Sequence, residues 1–186
     1  MIGYAFCGSF CTIQRSMKVL RGLCAEGNSV LPIMSDAVYS TDTRFGSARD
    51  LIKSVESVCG RGIIHSIVDA EPLGPKTVLD ILVICPCTGN TLAKIASGIT
   101  DTPVTMAAKA HLRSDRPLVI ALATNDALSA NLENIGTLMK RKNIFFVPMK
   151  QDDPTGKPHS LVCDFDRVGE TMMSAFAGRQ IQPVME

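Results

Sequence analysis

The sequence predicts a three-layer, doubly wound α/β fold, and three observations carry that prediction. Short apolar runs alternate with amphipathic stretches about six times along the chain, the pattern of strands joined by crossover helices. The run from Val78 to Cys85, VLDILVIC, has almost no polar interruption, which implies burial on both faces, as in a parallel sheet covered by helices. With no Trp, seven Phe and two Tyr in 186 residues, the core must be filled by Leu, Ile, Val, Ala and Met. The expectation is a single Rossmann-like domain over residues 1–186, with a mainly parallel sheet of about six strands in the order 3-2-1-4-5-6.

The elements follow in turn. Ile2 to Cys7 is a short apolar run. Gly8-Ser9 then makes a tight turn into Ile13, Met17, Leu20, Leu23 and Cys24, which are spaced as one face of a helix. Gly27 ends that helix, and Ser29 to Met34 reads as a second buried strand with Ser35 at its tip. Phe45, Ala48, Ile52 and Val55 outline a second helix that closes near Cys59-Gly60, before a brief strand from Gly62 to Ser66. Pro72, Gly74 and Pro75 forbid a regular helix through Asp69 to Thr77. After the long strand, a helix from about Gly89 ends at Gly98, and the next opens with Asp101 as its cap and Pro103 in its first turn. Strand Leu118 to Ala123, helix Asp126 to Lys142, strand Ile144 to Pro148, a loop or lid over residues 149–162, and helix Asp164 to Ala177 complete the reading.

Composition excludes several functions. Nineteen Lys plus Arg against 18 Asp plus Glu leave a net charge of +1, so no large field draws a polyanion and nucleic-acid binding is disfavoured. The longest apolar runs fall well short of the roughly 18 residues of a membrane span. Met1 to Phe6 lacks a basic leader region and runs into a core strand, so a cytoplasmic location is expected. Cys7, Cys11, Cys24, Cys59, Cys85, Cys87 and Cys163 are odd in number and match no zinc spacing, so neither a disulfide scaffold nor a metal site is expected. Lys140-Arg141-Lys142 ends a helix, where positive charge complements the dipole.

In such sheets ligands lie beyond the carboxyl ends of the strands, where the winding reverses. Gly8-Ser9-Phe10, Ser35, Pro86 to Thr91 and Ala123 to Asp126 should meet there. They supply hydroxyls, amides and glycines with few charges, which is the equipment of a neutral, hydrogen-bonding pocket. A glycine turn feeding a helix can present backbone N–H groups and the Ser9 hydroxyl to a phosphate. Neither a dinucleotide fingerprint nor a P-loop is present, which argues against a dinucleotide or ATP site in this chain.

Within DILVICPCTGNTLAKIASGITD, residues 80–101, Pro86, Asn90, Thr91, Ala93, Lys94, Ala96, Gly98 and Asp101 fall in register with a family hallmark. That hallmark is a Pro-Ala-Ser-Ala-Asn-Thr segment followed by Ala-Lys-x-Ala-x-Gly-x-x-Asp, and the stretch resembles the FMN-dependent, homo-oligomeric cysteine decarboxylases of the flavoprotein superfamily. The resemblance implies FMN as cofactor and a homo-oligomer. It places Gly8, Ser9 and Phe10 at the phosphate end and gives Ser35 and Thr88 hydroxyl contacts. Gly89, Asn90 and Thr91 then face the flavin, and Ala123 abuts the same pocket. Asn125 falls where those enzymes carry the Asn of a Pro-Ala-Met-Asn segment. For Asn90 the alternative is an Asx turn that caps the following helix.

The departures bear on chemistry. The decarboxylases carry a histidine eight residues before the aspartate that opens the long strand, and here that position is Pro72, with His65 seven residues upstream. No reactive-cysteine flap is recognisable after Pro148. Glu71 to Lys76, Ala123 to Leu128, Gln151 to Pro154, Lys157 to Val162 and the tail Gln180 to Val184 resemble instead the family of dipicolinate synthase B subunits. That resemblance covers essentially the whole chain. It implies action with an A subunit, which binds NAD(P), to oxidise a dihydrodipicolinate-type precursor to pyridine-2,6-dicarboxylate during sporulation. Such a reaction needs an electron acceptor and cations for two carboxylates. Lys76, Lys94, Lys109 and Lys157 are the candidates, with Lys157 favoured because the Pro154 to Pro158 segment, stiffened by prolines, can close as a lid; Asn125, by its place in the family segment, is the other expected contact to the small dicarboxylate substrate. No catalytic residue is assigned. The alternatives are an FMN-dependent decarboxylase or prenyltransferase-like enzyme, and a non-catalytic scaffold subunit with a vestigial flavin pocket.

Overall fold

The computed structural model describes residues 1–74 and 76–186; Pro75, read above as a helix breaker, lies outside the described residues. Five parallel strands form the centre: β1 (Ile2–Phe6), β2 (Val30–Met34), β3 (Ile81–Cys87), β4 (Leu118–Thr124) and β5 (Ile144–Phe146). They pair in the order β2-β1-β3-β4-β5, with Ile2 opposite both Val30 and Ile81, Leu82 opposite Leu118, and Leu118 opposite Ile144. The winding reverses between β1 and β3. The strand expected at Gly62 to Ser66 is reduced to one parallel bridge, Ile33 to Ile64, at the position outside β2 that the order 3-2-1-4-5-6 assigns to it. With Gly62 at its start and His65 exposed, that segment has too little apolar length to extend the sheet.

Alternation along the strands divides the core into two layers. Ala5, Ile33, Leu82, Ile84, Leu118, Ile120 and Leu122 face the helices α5 (Gly89–Ser97), α6 (Pro103–Leu112) and α7 (Leu132–Met139). Tyr4, Phe6, Ile81, Val83, Val119 and Ala121 face α1 (Ile13–Ala25), α3 (Ala48–Cys59) and α8 (Val168–Phe176). The buried Tyr4 hydroxyl lies 3.0 Å from the Ser16 carbonyl and 2.9 Å from its hydroxyl, and Ser16 Oγ donates to the Cys85 carbonyl at 2.5 Å. This chain of bonds satisfies every polar group it buries and pins α1 across β1 and β3.

Several boundaries differ from expectation for local reasons. The cap of α6 is Thr102, which forms a reciprocal capping box with Thr105. Asp101 instead accepts from Lys94 at 2.9 Å. The helix expected from Asp126 begins at Leu132, because the Asp126 carboxylate accepts from Thr124 Oγ1 at 2.6 Å and Asn131 Nδ2 at 2.9 Å and holds residues 125–131 in turns. The expected loop at 149–162 contains a two-stranded antiparallel ribbon, β6 (Met149–Lys150) with β7 (Leu161–Cys163), and β7 pairs antiparallel with Ala123 and Thr124 at the end of β4. Asp164 caps a 3-10 turn that runs into α8. Two short helices have too few residues to show a period: α2 (Asp36–Ser40) and α4 (Ile67–Ala70), the second ending before Pro72.

Candidate functional site

The site is built at the carboxyl ends of β1 to β4, and backbone bonds draw these ends together. Cys7 N–H donates to the Pro86 carbonyl at 3.1 Å, joining the tips of β1 and β3, and Ser35 N–H donates to the Phe6 carbonyl at 3.0 Å, joining β2 to β1. The Thr91 hydroxyl donates to Cys7 Sγ at 3.3 Å, so the first turn of α5 sits against the end of β1. The β4 end reaches the group through the register of Leu122 with Cys87.

Each expected residue has a definite place. Gly8 and Ser9 form the turn after β1. The Ser9 amide donates back to the Cys7 carbonyl at 2.8 Å and so is not available to an anion, contrary to the expectation for that turn. Its hydroxyl accepts from Thr12 Oγ1 at 3.1 Å and keeps its own proton to donate. Phe10 opens the 3-10 turn Phe10–Thr12 that leads into α1. Its ring lies 3.4 Å from where a Cβ on Gly8 would stand, closing one side of the turn. Ser35 begins α2 without capping it through its side chain, and its Oγ is buried with no hydrogen-bond partner. A native structure seldom leaves such a group unmatched unless a water or a ligand completes it.

On α5 the capping role belongs to Thr88, whose Oγ1 accepts from Thr91 N–H at 3.3 Å. The Thr88 hydroxyl then donates to Thr91 Oγ1 at 3.1 Å, which continues the chain of bonds to Cys7. Asn90 is therefore not the helix cap, and it is exposed on the first turn of α5. Gly89 is buried for a packing reason: a Cβ there would stand 2.5 Å from Asn131 Nδ2, 2.7 Å from Asp126 Oδ1 and 2.7 Å from Thr124 Oγ1. It supports the helix entry from below. Thr124 and Asp126 lie in the strand tip expected at the site, whereas their link to Asn131 escaped sequence reasoning because Asn131 falls inside an apparent helix.

Ala123 is buried beside β7 and Asn125 is exposed in the turn that follows. Leu128 N–H donates to the His159 carbonyl at 2.9 Å, so the segment after β6 is fastened to this turn. Within that segment Lys157 pairs with Asp152 at 3.1 Å. The hydrogen bond and charge of Asp152, with smaller contributions from Asp153 and Cys11, hold the exposed Lys157 ammonium above the usual lysine range, whereas desolvation acts weakly the other way.

The other lysines lie elsewhere. Lys94 is paired with Asp101, and Lys109 is exposed on α6, while Lys76 is exposed in the connection before β3. His65 stacks on Tyr39 of α2, with ring centroids 3.9 Å apart and planes 13° from parallel. Burial pushes the Cys7 and Cys85 thiols up to about 11, and those of Cys87 and Cys163 upward as well. These four are neutral near pH 7 and are poor nucleophiles and metal ligands. Among the described residues no group of three or more His, Cys, Asp or Glu is arranged to hold a metal ion, and no helix is long and apolar enough to cross a membrane.

The strand ends thus carry hydroxyls (Ser9, Ser35), an exposed amide (Asn90) and a glycine turn, with the Asp126 carboxylate engaged by Thr124 and Asn131 beneath the α5 entry. Known proteins share the fold. The Flavoprotein family model matches residues 1–176. The dipicolinate synthase B subunit of Bacillus subtilis (strain 168) is 46% identical over 184 residues, which are 99% of this chain and 92% of that protein. The crystal structure of the dipicolinate synthase B subunit from Bacillus halodurans C superposes with a TM-score of 0.91 at 43% identity, covering 100% of this chain and 95% of the other. That of the FMN-dependent cysteine decarboxylase SpaF has the same fold, with a TM-score of 0.69 at 24% identity over 94% of this chain and 95% of its own.

Proposed function

The chain belongs to the Flavoprotein family, among the relatives of the dipicolinate synthase B subunits, and on that premise we propose that it is the flavin-binding B subunit of a dipicolinate synthase. With an NAD(P)-binding A subunit it would oxidise a dihydrodipicolinate-type precursor to pyridine-2,6-dicarboxylate. The observation that carries the flavin half is the buried, unpartnered Ser35 hydroxyl at the meeting of the strand ends. The group fits FMN: Ser9 and Ser35 would donate to its phosphate, and Asn90 would contact the ring system from the first turn of α5. When bound, FMN supplies a two-electron acceptor.

The chain's own residues bind and orient. Thr88 and Thr91 fix the entry of α5, and Gly89 lets that helix settle on Asp126 and Asn131. The segment after β6 is the element that would close over the substrate. It is tied to itself by the bond from Gln151 Nε2 to the Pro158 carbonyl at 2.8 Å and by that from Lys157 N–H to the Asp153 carbonyl at 2.8 Å, and would therefore move as one body. Release of Lys157 from Asp152 would give one substrate carboxylate a cation, and Asn125, exposed in the turn after β4, would be a second contact. Pro72 in place of the decarboxylases' histidine disfavours decarboxylation, because its side chain can neither give nor take a proton. A homo-oligomer and a cytoplasmic location complete the reading.

Reconstitution tests it. The purified chain and a dipicolinate synthase A subunit are mixed with precursor and nicotinamide cofactor, and pyridine dicarboxylate is measured. The reading expects product from the mixture and little from either chain alone. Full activity of the A subunit unaided would overturn it.

A further inference from the structure

We propose that the cleft between the C-terminal end of α5, the outer face of α6 and the end of α7 is a docking site for an acidic segment of the A subunit that carries an apolar side chain; this rests on the two-subunit reading above. The cleft is about 370 Å³, with an apolar floor of Ile95, Ile99, Ala108 and Leu112. Three cations, Lys109, Arg113 and Arg141, line it, and no acidic residue does. All three cations are exposed.

Charge in this region is unbalanced although the chain as a whole carries only +1. The acids nearest in sequence to Lys109 and Arg113 are already engaged, Asp101 by Lys94 at 2.9 Å and Asp115 by Lys142 at 3.5 Å. Among the described residues Lys109, Arg113 and Arg141 have no carboxylate partner. Arg141 is also held in place: Nη1 donates to the Ile95 carbonyl at 3.2 Å and Nη2 to the Ala96 carbonyl at 2.6 Å, capping α5. Two of its five N–H donors are used in this way, and three remain on a guanidinium already fixed in position.

Ile99 supplies the second half of the argument. It follows the α5 cap Gly98, whose φ is 74°, and its amide donates to the Lys94 carbonyl at 2.8 Å. An apolar residue there usually packs back on its own helix, yet Ile99 is 47% exposed. A cationic rim around an aliphatic floor from which Ile99 stands exposed suits a carboxylate-bearing chain segment with a buried apolar anchor, the composition of an interface hot spot. A solvated lysine face would have no such floor.

Association of the full chain with the A subunit, followed by sedimentation over a salt series, tests this. Wild type should bind, and should bind more weakly as salt rises. The double variant Lys109→Glu, Arg113→Glu should lose about tenfold or more in affinity and most of the salt dependence. Ile99→Ser should weaken binding without altering its salt dependence, and FMN titration should be unchanged in both variants. If the charge-reversed chain fails to fold, the wild-type salt series with Arg113→Gln decides. Binding that ignores both salt and the variants overturns the proposal. Reversal that dissociates a homo-oligomer and leaves A-subunit affinity intact also overturns it, because a second copy would then cover the cleft. A wild-type chain that binds FMN but never the A subunit removes the two-subunit reading and this proposal together, while product formed equally well by the charge-reversed chain removes this proposal alone.

Discussion

The Thr91 hydroxyl donates to the Cys7 thiol at 3.3 Å, with both groups buried. One stands on the first turn of α5 and the other just past the end of β1, 84 positions apart in the chain. Together with the bond from Thr88, it fixes the helix that presents Asn90 relative to the turn that presents Ser9. The two expected ends of the cofactor site are thus set by hydroxyl and thiol contacts rather than by charge.

Ser35→Ala should leave the cofactor-free protein as stable as wild type, or slightly more so. The hydroxyl is buried, unpartnered and not a helix cap, and removing an unsatisfied polar group relieves a cost of about 1–3 kcal/mol. FMN affinity should fall at the same time. Thermal melts with and without FMN measure both effects, and a destabilised variant with unaltered affinity would refute this role for Ser35.

Gly89→Ala should destabilise the fold by about 1–3 kcal/mol through overpacking, because the added carbon would stand 2.5 Å from Asn131 Nδ2 and 2.7 Å from Asp126 Oδ1. Urea unfolding reports the loss. A midpoint equal to wild type would show that the α5 entry gives way without strain.

Thr102→Ala should cost about 1 kcal/mol, the usual value for a lost N-cap, whereas Asp101→Ala should cost less, since its ion pair with Lys94 is largely exposed on the aspartate side. Side-by-side denaturation of the two variants decides which residue starts α6. Equal losses would contradict the assignment.

Acid should weaken the fold through His111. The ring is buried on α6, with Nε2 2.9 Å from the Pro117 carbonyl and Nδ1 unpartnered. Burial holds its pKa below the usual 6.5; the Pro117 carbonyl opposes this and the Arg116 charge adds to it. The unfolded chain therefore binds the extra proton first. Stability falls as pH drops through 6.5 and continues to fall until the folded form is protonated too. Urea midpoints between about pH 7.5 and 5.5 should slope for wild type and be flatter for His111→Gln; equal slopes would exclude His111 as the source.

The fold class was legible in the sequence because buried parallel strands write long apolar runs, and VLDILVIC is such a run. The order of the parallel strands followed from the doubly wound rule, even to the place of the vestigial third strand at Ile64, whereas the antiparallel extension from β4 through β7 and β6 lay outside it. What escaped depends on side-chain bonds. Asp126 holds a turn where periodicity reads a helix, Thr102 takes the cap that Asp101 seemed to offer, and β7 adds to β4 over only two residues. At the site, the tips and their glycines were visible as turn chemistry. That Gly89 serves packing and that Ser35 is left unpartnered depend on neighbours distant in sequence, while the Ser9 amide is taken by the Cys7 carbonyl within the turn itself.

Equilibrium titration of the purified chain with FMN, followed by flavin fluorescence and by absorbance near about 450 nm, tests the central claim most directly. Saturable binding of one FMN per chain is predicted, weakened about tenfold or more by Asn90→Ala with no change in melting temperature. A colourless protein that takes up no added FMN, or an Asn90→Ala chain that loses its fold before it loses any affinity, would contradict the account.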